Sequence, residues 1–76
     1  MRELVISGWN VGLDKILLTK ALRAEFGYSL SEGKSMTDRV LAKEEIRIPL
    51  GHRSIEEEQA LLTRLREIGV QVSVAA

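Results

Sequence analysis

Apolar and polar positions alternate with a period of two in three short stretches of this chain and with a period near 3.6 in three longer ones. From Arg2 to Gly8, Leu4 and Ile6 fall on one face and Glu3, Val5 and Ser7 on the other, which predicts a strand. Gly8-Trp9-Asn10-Val11-Gly12 follows as a loop built on turn residues. A helix is expected from about Leu13 to Phe26, stopped by Gly27, which can take the left-handed conformation that closes helices. Ser29 with Glu32 three residues on forms a capping box for a second helix, which carries Leu30, Met36, Val40 and Leu41 and frays near Glu44 and Glu45. Ile46, Ile48 and Leu50 then alternate with Arg47 and Pro49, and the proline, lacking a ladder donor, places this second strand at a sheet edge. After the turn Gly51-His52-Arg53, Ser54 and Glu57 make another capping box. Ile55, Leu61, Leu62, Leu65 and Ile68 give the third helix its apolar stripe, Gly69 ends it, and Val70, Val72 and Val74 alternate with Gln71 and Ser73 in a last strand.

The order strand, helix, helix, strand, helix, strand with one-sided strands predicts an α+β fold. In it three helices cover one face of a three-stranded, mostly antiparallel sheet whose first strand lies between the other two. Residues 1–76 read as one module. Its expected core includes Ile6, Leu17, Ala21, Leu22, Val40, Ile48, Leu61, Leu65 and Val72. Trp9 is expected to plug the open end of this core beside the first helix. Gly33 costs about 1 kcal/mol relative to alanine inside a helix, which suits a close approach of the first two helices.

With 45% hydrophobic and 29% charged residues the chain is globular. Eleven cations balance eleven anions, which argues against a general nucleic-acid binder, whose affinity rests on phosphate neutralisation. Any electrostatic partner must be met by a local patch. The absence of cysteine removes disulfides and thiolate metal sites. Neither a signal peptide nor a membrane span is legible, and a cytoplasmic location is expected.

One helix face stands apart. With Lys15 at zero on a wheel of roughly 100° per residue, Thr19, Arg23, Ile16 and Lys20 share a sector of about 140°, while Leu17, Leu18, Ala21 and Leu22 occupy the other side. Three cations surrounding Lys15's neighbour Ile16 could be a plain solvated face, but such a face has no use for isoleucine. Candidate chemistry elsewhere is thin. His52 reads as an exposed turn residue with no acid beside it in sequence, and Glu56-Glu57-Glu58 reads as a charged helix start. No serine sits in a nucleophile elbow, and the Gly8–Gly12 loop is not a phosphate-binding motif. No enzyme activity, cofactor, metal or small-molecule substrate is expected.

The same run carries a family pattern: Lys15, Ile16-Leu17-Leu18, Lys20, Leu22-Arg23, Gly27, Leu30, Glu32 and Lys34, continued by REIGVQVSV near the end. In these residues the chain resembles the C-terminal, factor-binding domain of the bacterial large-subunit ribosomal stalk protein. The family's helical dimerisation segment and Ala-rich hinge are not among these residues. Ser31, Tyr28, Ser29 and Gly33 stand where that family usually has lysine, an aliphatic, glycine and alanine. The resemblance implies the split fold above and a protein–protein interaction module. Its partner-binding surface would be Lys15, Ile16, Lys20, Arg23, Gly27, Tyr28, Leu30 and Lys34, facing an acidic protein such as the GTPase domain of a translation factor. An alternative is the Clp protease adaptor, which shares this topology. Its acidic loop after the first strand is replaced here by Gly8-Trp9-Asn10-Val11-Gly12.

Overall fold

The computed structural model of the chain describes residues 2–76. Its elements are β1 (Glu3–Trp9), α1 (Lys15–Phe26), α2 (Leu30–Leu41), β2 (Ile46–Pro49), α3 (Ile55–Ile68) and β3 (Val70–Ala75), in the order that the periodicity predicts. The sheet order is β2-β1-β3, with β1 antiparallel to both neighbours. β2, with Pro49, is therefore an edge strand, and α3 carries the chain from one edge of the sheet to the other.

Local chemistry sets most helix ends. Ser29 and Ser54 accept from the amides of Glu32 and Glu57, whose carboxylates in turn accept from the serine amides. Each box thereby satisfies donors that the first helical turn would leave orphaned. α1 begins later than expected because Asp14, in extended conformation, caps it by accepting from the Leu17 amide. Gly27 (φ 69°) and Gly69 (φ 116°) end α1 and α3 in the left-handed region. Gly69 is also pressed against its neighbour, since a Cβ there would lie 2.9 Å from the Leu13 Cα. α2 does not fray. The Glu44 amide donates to the Arg39 carbonyl and the Lys43 amide to Val40, with Lys43 itself at φ 64°. That is a Schellman closure made without glycine.

The core lies between the helices and the inner face of the sheet, around Leu4, Ile6, Leu18, Leu22, Val40, Ile46, Leu65 and Val70. Of the nine core positions expected from sequence, Leu17 is the exception, at 48% exposed. Leu18, Ala21 and Leu22 face inward, and Leu17 stands about 90° from the centre of their arc on a 100° wheel. Ile55 is also exposed: as the first residue of α3 it lies outside the packed stretch that begins at Glu58. Val5, on the polar side of the sheet, is nonetheless buried, paired in register with Arg47 on one side and Ser73 on the other.

Two further expectations are corrected. Glu58 is no solvated helix-start residue: it is 2% exposed and accepts from Arg2 Nε at 2.9 and 3.1 Å. Trp9 is the last residue of β1 rather than part of a loop, and it packs at the C-terminal end of α2, where its indole N–H donates to the Leu41 carbonyl at 3.3 Å. No helix among the described residues is long and apolar enough to cross a membrane.

Candidate functional site

α1 and α2 form a hairpin joined by Gly27-Tyr28-Ser29. Gly33 is where they meet. A Cβ there would lie 2.9 Å from Arg23 Cγ and 3.3 Å from Thr19 Cγ2, so the close approach expected of this glycine is present. One turn on, Thr19 Oγ1 and Thr37 Oγ1 are 2.8 Å apart, and each lies 3.0 Å from a carbonyl of its own helix, Lys15 and Gly33 respectively. With one proton each, one threonine donates across to the other hydroxyl while that one donates to its own helix carbonyl, so the two helices share a polar seam.

Along this seam runs a groove of about 380 Å³. α1 contributes Lys15, Ile16, Thr19, Lys20 and Arg23, and α2 contributes Leu30, Lys34, Thr37, Asp38 and Leu41. Six of the eight residues expected at the partner-binding surface therefore line one feature: Lys15, Ile16, Lys20, Arg23, Leu30 and Lys34. Gly27 and Tyr28 lie outside it. Gly27 is exposed in the hairpin turn. The half-buried Tyr28 packs against Phe26 with ring centroids 6.0 Å apart and planes tilted by 36°, and Phe26 in turn lies under the Arg53 guanidinium. Burial, with Glu32 nearby, raises the Tyr28 phenol above its ordinary pKa.

Sequence reasoning missed Thr37, Asp38 and Leu41. The signal was present, because Leu30, Lys34, Asp38 and Leu41 recur at spacings of four, four and three, which is one helix face.

The groove's character is set by what its charges lack. Among the described residues, no carboxylate lies within 4 Å of Lys15, Lys20, Arg23 or Lys34, whereas Arg2, Arg39, Arg47, Arg53 and Arg64 each hold one. Asp38 is the acid in the lining. Ile16 and Leu30 remain 70% and 48% exposed. Fully burying a side chain of this size contributes about 1.5–3 kcal/mol, so two partly exposed anchors within a cationic rim suit a modest, electrostatically guided contact. His52 is exposed in the β2–α3 turn. Compared with protein-family models, curated proteins and solved structures, the chain matches none of them.

Proposed function

We propose that the α1–α2 groove is the docking surface of a non-enzymatic protein-interaction module, and that its partner is a protein presenting an acidic, partly apolar surface. The observation that carries this reading is that, among the described residues, the cations around Ile16 and Leu30 have no carboxylate within 4 Å, while the six other arginines each meet an acceptor. Cations at the rim steer an acidic partner, and the apolar centre holds it. The resemblance to the factor-binding domain of the ribosomal stalk protein narrows the partner class to the GTPase domain of a translation factor, met in the cytoplasm.

The test is a titration of isotopically labelled domain with a purified bacterial translational GTPase, followed by backbone amide resonances. Amides of Lys15–Arg23 and Leu30–Leu41 should shift, and Arg23→Glu should abolish the shifts while leaving the free domain's spectrum unchanged away from residue 23 and its contacts. Shifts confined to α3 and the sheet would overturn the assignment of the face. Their complete absence would remove the translational GTPase as the partner.

A further inference from the structure

The chain's one tryptophan is placed by a backbone irregularity. In β1, Leu4 pairs with Val74 and Ile6 with Val72, on the face that meets the helices. Strict alternation would put Gly8 on that same face and Trp9 on the opposite one. Instead the register slips between Ile6 and Gly8, so that Gly8 faces Gln71 and Trp9 faces Val70. The extra residue, Ser7, makes a bulge, a device that re-aims the side chains beyond it. Gly8 leaves room for the Gln71 side chain, whose Oε1 would lie 2.8 Å from a Cβ there. The Gln71 side chain donates through Nε2 to Asn10 Oδ1 at 2.9 Å.

The indole so aimed completes the end of α2. The last four carbonyls of a helix have no partner within it. Here Asp38 accepts from the Ala42 amide, Arg39 from Glu44 and Val40 from Lys43. The remaining carbonyl, Leu41, accepts from Trp9 Nε1. Asp38 and Leu41 are also the two residues that wall the groove at this end.

We infer that Trp9 is the positioning residue of the groove: the bulge in β1 turns its indole toward the helices, and its hydrogen bond to Leu41 holds the C-terminal end of α2 at the distance from Ile16 that an occupant meets. This rests on the reading of the groove as a docking surface. Gly33 sets the close approach of the two helices near Arg23, and Trp9 ties the other end of α2 to β1.

The experiment uses Trp9→Phe, which keeps an aromatic ring and removes the N–H, and as probe a synthetic acidic peptide with leucines at i, i+4 and i+7 in a glutamate background. Affinity should fall by at most about fivefold, the equivalent of roughly 1 kcal/mol and the net worth of one hydrogen bond, because the bond acts through the fraction of molecules whose α2 end is in place. In the same variant, hydrogen exchange at Ala42, Lys43 and Glu44 should quicken while the amides of α3 stay protected. A folded Trp9→Phe domain with unchanged affinity and unchanged exchange at these three amides would overturn the inference. If the wild type does not bind the peptide, the docking reading is what fails, and the exchange comparison alone then decides the role of Trp9. Should Trp9→Phe not fold, the wild-type indole proton decides: protection comparable to that of the Ala42 amide supports the hydrogen bond, and exchange at the rate of free indole overturns it.

Discussion

The α1–α2 hairpin and the region around α3 are built from similar residues and treat their charges in opposite ways. Around α3, Arg2 holds the buried Glu58, Arg53 and Arg64 share Glu25, and Arg66 donates to the Val72 carbonyl at 3.1 Å on the sheet edge. Arg53 also donates to the Leu50 and Glu25 carbonyls. Along the hairpin, Lys15, Lys20, Arg23 and Lys34 have no carboxylate within 4 Å among the described residues, and two aliphatic side chains stay in water between them. A net charge of zero therefore conceals an uneven distribution. The cations around α3 are held by acceptors of the domain itself, and those that line the groove are left available.

The difference can be broken most forcefully on the structural side. Leu65, wholly buried, should cost about 2–5 kcal/mol when truncated to alanine, read as a lowered denaturant midpoint. The Arg2–Glu58 pair should respond asymmetrically. Arg2→Met strands a buried carboxylate and should cost about 3 kcal/mol. Glu58→Met removes the buried charge and leaves only Arg2, 46% exposed, so its cost should be clearly smaller. Equal costs would show that burial does not govern the pair.

Smaller effects sharpen the contrast. Lys43 pays for a left-handed conformation at the end of α2, so Lys43→Gly should stabilise the domain by about 1 kcal/mol. Lys15→Ala, Lys20→Ala and Arg23→Ala should each change stability by no more than about 0.5 kcal/mol. Unfolding of the Arg23 variant would make it a structural residue. The two capping boxes give a pH signature. Hydrogen bonds from the Ser29 and Ser54 backbone, then side chains, lower the Glu32 and Glu57 pKa values. The folded state thus holds these protons more weakly than the unfolded one, and the contribution is present above the ordinary glutamate range and lost as pH falls through the lowered values. Tyr28 has the opposite sign: its raised pKa gives stability that is complete below its ordinary value of 10.0 and lost at higher pH. Glu32→Gln and Glu57→Gln should each flatten the acid limb of a stability–pH curve, and Tyr28→Phe the alkaline limb.

What was legible in the sequence was local. Both capping boxes, both terminal glycines and the alternation of Val70, Val72 and Val74 are decided within a few residues. So was the cationic sector of α1, because a helix wheel needs only one helix. What stayed hidden depends on partners far along the chain. Glu58 is buried by Arg2, 56 positions away, and Trp9 is turned inward by a bulge that only the pairing with β3 reveals. The Schellman closure at Lys43 escaped because its usual glycine is absent. Leu17 and Leu18 are adjacent residues on the same side of the wheel, and only the packing of α1 between α2 and α3 decides that Leu18 goes in and Leu17 stays out.

The unpaired rim is tested most directly by association kinetics with a translational GTPase at low and high salt. Lys20→Ala should slow association and flatten its salt dependence while leaving dissociation nearly unchanged, because it removes long-range attraction. Ile16→Ala should chiefly speed dissociation, because it removes buried contact and leaves the field intact. If the wild type binds and both variants keep its association and dissociation rates at both salt concentrations, the α1–α2 groove is an ordinary solvated helix face.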